Sequence, residues 1–163
     1  MNAALFKTQN DLPEEARRAV IDVLNEHLTD SIDFGLQAKQ AHWNVKGPNF
    51  VSLHALFDEV AESFSEFADD LAERAVQLGG IARGTLQSVA RGSRLQSYPL
   101  DLVWGCDHLQ ALSATLATFG KSARAAIEST DRFGDADTAD LFTQISRATD
   151  KLLWKLEAHR GDE

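Results

Sequence analysis

A chain of 163 residues with 44% hydrophobic and 25% charged residues fits one globular domain around one core, and excludes a disordered, collagen-like or purely coiled-coil polymer. No apolar run approaches the roughly 20 residues of a membrane span, and the opening MNAALFKTQND lacks a signal peptide's apolar stretch, so a soluble, cytoplasmic protein without membrane contact is expected. A formal charge of −9 counts against generic polyanion binding, because the only candidates for a concentrated basic patch are Lys7, the pair Arg17 and Arg18, and the stretch Arg83, Arg91 and Arg94, and it suits a protein that handles cations.

Residues 1–12 read as a short N-terminal tail before a folded unit spanning 13–160. The first long helix is expected from near Pro13, with Glu14 and Glu15 in its first turn and Ala16, Val20, Val23, Leu24, Leu28 and Ile32 on its apolar face. Gly47-Pro48 ends it. A second helix, from about Asn49 to Leu78, carries the stripe Leu53, Leu56, Phe57, Val60, Phe64, Phe67 and Leu71, and Gly79-Gly80 stops it. From Gly80 to Leu100 there is no helical stripe and no acidic residue, which predicts a long crossover with at most one short helical piece. A third helix is predicted from about Asp101 to Ser129, with the single Cys106 as a small buried hydrophobe and Trp104 as a packing residue. A fourth follows from about Asp137, with Thr138 as an alternative cap, to about His159, and Trp154 packs on it. Two helical hairpins joined by a long crossover define an all-α, ferritin-like four-helix bundle.

The second helix carries the most chemistry. At 100° per residue, with His54 at the origin, Asp58 falls at about 40°, Asp69 at about 60° and Glu73 at about 100°, while the apolar stripe occupies about 200–300°. These side chains point away from their own core, so the site is not the ordinary inward-facing di-iron centre of a bundle. His54 with Asp58, and Asp69 with Glu73, are each i,i+4 pairs able to share an ion. Along the axis Asp58 and Asp69 are about 16 Å apart, too far to share one ion. Both pairings, 54 with 73 and 58 with 69, are centred between Ser63 and Phe64, so an antiparallel copy of the helix would bring each pair against its complement and build two equivalent sites. A solvated polar face and a metal-free salt-bridged contact fit the same spacing. His and carboxylate ligands suit iron(II), manganese or zinc.

The run Lys39-Gln-Ala-His-Trp-Asn-Val-Lys-Gly47 continues with Phe50, Leu53-His54, Phe57-Asp58-Glu59, Asp69 and Ala72-Glu-Arg-Ala-Val-Gln-Leu-Gly-Gly80. With Ser97-Tyr-Pro-Leu-Asp101, Asp137-Thr-Ala-Asp-Leu141 and Asp150-Lys-Leu-Leu-Trp154, it resembles the Dps family, the DNA-binding proteins from starved cells or mini-ferritins, over nearly all of the chain after residue 12. The resemblance implies a hollow homododecamer with ferroxidase sites at its twofold interfaces. It assigns the iron to His42, His54 and Asp58 of one subunit and Asp69 and Glu73 of the partner, and it places beside His42 a tryptophan, Trp43, that passes electrons or traps radicals.

Carried over, the activity is oxidation of Fe(II) by hydrogen peroxide, storage of ferric iron and protection of DNA and the cell, with zinc or manganese able to take the same ligands. Asp135, Asp137 and Asp140 stand as a candidate ion pore around a threefold axis, or as ordinary acids at a helix N-terminus. DNA binding is expected to be weak, because the tail holds only Lys7 and each subunit carries −9. The alternatives are a nucleoid-associated, DNA-condensing protein with secondary iron chemistry, and an assembly whose interface residues hold a structural zinc ion.

Overall fold

Charge and backbone chemistry at the chain's breaks decide where its helices begin and end. The structure, a computed structural model, describes residues 5–160 and contains α1 (Glu14–Asn44), α2 (Phe50–Gln77), α3 (Leu86–Gly92), α4 (Gly105–Arg132) and α5 (Ala136–Ala158). Pro13 stands at the N-cap of α1 with φ of −54°, so its missing N–H costs nothing, and Glu14 and Glu15 face the positive end of the helix dipole. At the end of α2, Gly79 turns with φ of +87°, and a Cβ there would meet the Phe6 carbonyl oxygen at 2.6 Å. Only glycine fits that turn.

The expected stripe of α2 is buried from Leu53 to Leu71 and packs against α1, while α4 packs on α5 to complete a four-helix bundle. Phe64 sits at its centre, with ring centroids 4.5 Å from Phe34, 5.1 Å from Phe67 and 4.9 Å from Phe119 in edge-on contacts. The predicted crossover is present and contains the short α3. Polar side chains from α1 fasten it. Asn25 Nδ2 donates to the Ile81 carbonyl and its Oδ1 accepts from the Arg83 N–H at 2.8 Å. Buried Asp30 accepts from the Arg94 N–H at 2.9 Å and from Arg94 Nη2 at 2.7 Å, and a second Arg94 nitrogen reaches Glu26.

Three expectations are corrected. Helix α4 starts at Gly105 rather than Asp101, because the Val103 carbonyl accepts from the Lys46 N–H at 2.9 Å and Trp104 forms a parallel bridge with Lys46, holding this stretch extended. Cys106 is exposed, not buried, since the inward side of the first turn is taken by His108 and Leu109. The cap of α5 is Asp135 rather than Asp137 or Thr138; its carboxylate accepts from the Thr138 N–H at 3.0 Å. Of the two tryptophans expected to pack, Trp104 lies against Gly47 and stays 57% exposed, and Trp154 is 65% exposed in the single chain. No described helix is long and apolar enough to cross a membrane.

Candidate metal centre

The turn between α1 and α2 sets the site. Val45 donates its N–H to the Ala41 carbonyl and leaves the helix in an extended conformation, and Gly47 takes φ of +119°, a value other residues rarely adopt. The chain reverses within five residues, so His42 in the last turn of α1 comes to lie against His54 in the second turn of α2. Their rings stack with centroids 3.6 Å apart and planes 21° apart. Each is tethered to the other's backbone. His42 Nδ1 donates to the His54 carbonyl at 2.7 Å, and His54 Nδ1 donates to the His42 carbonyl at 2.8 Å. A carbonyl can only accept, so both Nδ1 atoms carry a proton, and in the neutral form of each ring the lone pair lies on Nε2. That is the arrangement in which a histidine is oriented as a metal ligand, its second nitrogen fixed by a backbone carbonyl.

Asp58, one turn beyond His54, is half-buried and hydrogen-bonded to the Lys39 ammonium. That bond holds its carboxyl below the usual carboxylate range; partial burial opposes the shift, and His42, Lys39 and His54 add to it through their charge. Asp58 is therefore ionised and available at neutral pH. Asp69 and Glu73 are exposed on the same helix, about 16 Å and more along its axis from Asp58. Among the described residues, no three His, Cys, Asp or Glu side chains of the one chain gather closely enough to hold a metal ion. The chain thus pairs His42 with His54, keeps Asp58 one turn further along α2 on Lys39, and leaves Asp69 and Glu73 apart from them. Trp43 points outward next to His42 and is 65% exposed.

Between the two groups the α1–α2 face is concave and partly apolar. A shallow groove of about 380 Å³ is lined by Ile32, Leu36, Ala61, Phe64 and Ala68, and a second of about 450 Å³ reaches Asp69. At the other end of the bundle, Asp135 is buried; its second oxygen accepts from the Thr138 hydroxyl at 2.6 Å and its first pairs with Arg74 at 2.8 Å. Asp137 and Asp140 are the two exposed carboxylates of that group.

Sequence reasoning did not single out Lys39 as a partner of Asp58, although its spacing of three from His42 places both on one face of α1. It also missed the half-buried bond between Tyr98 and His108, which joins residues from the crossover and α4.

The ferritin-like domain family matches residues 21–163. The DNA protection during starvation protein of Agrobacterium fabrum is 48% identical over 153 residues, 94% of each chain. The chain belongs to the Dps family. Among solved Dps structures, that of Mycobacterium smegmatis superposes with a TM-score of 0.90 at 29% identity, covering 94% of this chain and 93% of that one. A Dps protein of Vibrio cholerae, described as a member of the ferritin-like diiron-carboxylate superfamily, superposes at 0.87 with 25% identity over 97% and 98% of the two chains. The five helices and their order are thus those of a Dps subunit, and the outward-facing histidine pair lies on the α1–α2 surface of that subunit.

Proposed function

We propose that this chain is the subunit of a Dps-type ferroxidase and iron store, assembled as a hollow homododecamer, in which each iron site is completed across a twofold interface. The observation that carries the reading is the reciprocal His42–His54 tether, which engages Nδ1 of each ring and leaves the Nε2 atoms for a ligand role, one helical turn from an ionised Asp58. A purely solvated face gives no reason to fix both tautomers. Antiparallel contact of two α2 helices about Ser63 and Phe64 would bury the apolar grooves of both chains and bring the partner's Asp69 and Glu73 to the histidines.

In this site iron is the substrate. Neutral imidazoles and carboxylates bind Fe2+, and the carboxylates favour the more highly charged Fe3+, which eases oxidation. Two Fe2+ give one electron each to hydrogen peroxide; the O–O bond breaks and, with two protons, both oxygens leave as water. Paired transfer avoids the hydroxyl radical that a lone Fe2+ would generate. Lys39 holds one oxygen of Asp58 and so competes with the ion for that carboxylate. Trp43, at the rim beside His42, serves as an electron donor that intercepts stray radicals. Iron passes inward past Asp137 and Asp140, with Asp135 anchoring the helix behind them, and collects as ferric oxide. Zinc or manganese would compete for the same ligands.

DNA binding is weak in this reading. The Phe6 N–H donates to the Gly79 carbonyl at 2.8 Å, Leu5 and Leu12 pack against the core, and Arg17 bonds the Leu78 and Leu12 carbonyls, so residues 5–12 lie on the subunit. Protection of DNA then comes from removing iron and peroxide in the cytoplasm. The deciding experiment is anaerobic Fe2+ oxidation on addition of hydrogen peroxide, following ferric absorbance and spin-trapped hydroxyl radical. Fast oxidation with little radical, lost in an assembled Asp58→Ala variant, supports the assignment. Wild-type oxidation no faster than buffer refutes it.

A further inference from the structure

The two buried histidines outside the candidate centre are used differently. His27 is bonded at both ends, with Nδ1 to the Val23 carbonyl at 2.8 Å and Nε2 to the Ser122 hydroxyl at 2.9 Å. Such a ring is a structural cross-brace. His108 is 1% exposed, yet only its Nδ1 is bonded, to the Tyr98 hydroxyl at 2.6 Å, and its Nε2 has no partner among the described residues. A structural role alone leaves that unsatisfied nitrogen unexplained. The Tyr98 and His108 rings lie 10° from parallel with centroids 6.2 Å apart, and His108 is 6.1 Å from Phe57, the residue before Asp58 on α2. A line of three rings therefore runs from the crossover to the backbone of the candidate iron site.

We propose that Tyr98 and His108 form a redox pair that holds one oxidising equivalent while iron is being oxidised. This inference rests on the ferroxidase reading for the source of its oxidant. When peroxide meets a single Fe2+, the products are Fe3+, hydroxide and a hydroxyl radical. Tyr98 supplies one electron, which reduces that radical to hydroxide, and the phenolic proton passes along the 2.6 Å bond to His108 Nδ1. A second Fe2+ then returns an electron to the tyrosyl radical and becomes Fe3+, and the proton goes back from His108 to the phenolate oxygen. The two hydroxides take up two protons, so the sum is two Fe2+ oxidised per peroxide reduced to two waters. In the resting state burial pushes the Tyr98 hydroxyl up and lowers His108, with Asp107 opposing the latter, so the proton stays on oxygen and the imidazole is a neutral acceptor. Tyr98 is a positioned electron donor, and His108 acts through it.

The test uses the assembled protein given Fe2+ below one ion per site, then hydrogen peroxide, and frozen for electron paramagnetic resonance. A tyrosyl signal is expected in wild type, and its assignment is unambiguous because the chain has one tyrosine. Tyr98→Phe, which keeps the ring, should abolish it and raise spin-trapped hydroxyl radical several-fold; His108→Phe should weaken it several-fold. Rapid iron oxidation in wild type with no tyrosyl signal overturns the proposal while leaving the ferroxidase reading intact. A second arm needs no iron: photo-oxidised ruthenium tris-bipyridine is generated by a flash in the presence of metal-free protein. Tyr98 oxidation should be several-fold faster in wild type than in His108→Phe, and slower in heavy water. Equal rates with no isotope effect overturn the pair even if iron is oxidised normally. A His108-dependent rate in a protein that fails to oxidise iron supports the pair and refutes the ferroxidase reading alone.

Discussion

Mixing two inactive variants tests the shared site most directly. In Asp58→Ala, every site lacks the carboxylate contributed beside the histidines; in Glu73→Ala, every site lacks the one contributed from the partner. In a dimer of one variant with the other, one site carries both lesions and its twin carries neither. Random pairing at equal amounts makes about half of the dimers mixed, so about one quarter of all sites should be intact. The assay is initial peroxide-driven Fe2+ oxidation after the variants are unfolded together and reassembled, with mixed assemblies verified by mass spectrometry. Two lesions on the same half-site provide the control: Asp58→Ala mixed with His54→Ala, or Asp69→Ala with Glu73→Ala, should recover nothing. If Asp58→Ala and Glu73→Ala in verified mixtures also recover nothing, the sites are not shared between chains and the α2-to-α2 geometry is wrong.

Burial lowers His27, against the Val23 and Ser122 bonds that raise it. The folded state therefore resists a proton that the unfolded chain accepts below about 6.5, and stability is full above that pH and falls as pH drops through it, by at most about 1.4 kcal/mol per unit for this group. Urea unfolding at pH 7.5 and 5.5 should show the loss, and His27→Gln should reduce it, with buried His108 supplying a remainder of the same sign. Phe64→Ala removes the ring at the centre of the aromatic cluster and should cost about 3–5 kcal/mol, about 6–20 °C in melting temperature, measured by calorimetry. Gly47→Ala forces a side chain to φ of +119° in the turn that sets the histidines together; it should weaken Zn2+ binding by calorimetric titration while leaving the helical circular dichroism unchanged.

Local periodicity made most of this fold readable, and non-local backbone pairing hid the rest. The α2 stripe announced itself because Leu53 to Leu71 repeats at threes and fours, and the same arithmetic put His54, Asp58, Asp69 and Glu73 on the opposite side. The start of α4 was misplaced because Asp101 looks like a cap, whereas the Lys46–Val103 bond from 57 residues away keeps the chain extended. Asp135 shows the same limit. Three acids near a helix start suggest a charged funnel, yet the first of them is consumed by Thr138 and by Arg74 of α2, a partner that no local pattern reveals. His42 lacked any spacing signal and came in through family resemblance alone; in the structure the reversal at Gly47 puts its ring on His54.

The same non-local bonds explain how the surface proposed to take iron holds its histidines and carboxylate in place. A stacked histidine pair beside a carboxylate is an expensive arrangement to hold open, because imidazole nitrogens and a charged oxygen prefer partners of their own. Here each is given one at no cost to the ligand set: backbone carbonyls take the two Nδ1 protons, and the Lys39 ammonium takes Asp58. The carbonyl bonds can persist when the ion arrives, because they use the nitrogens that do not bind it. The Lys39 bond is in closer competition, because it engages one of the two oxygens of the Asp58 carboxylate. In the proposed site an arriving ion would meet two histidines already oriented and one carboxylate shared with a resident cation. That difference predicts that Lys39→Gln binds Zn2+ more tightly than wild type in calorimetric titration, whereas His42→Ala binds it about 10–100-fold more weakly. Unchanged or weaker Zn2+ binding in Lys39→Gln would show that Lys39 supports the site instead of competing for it.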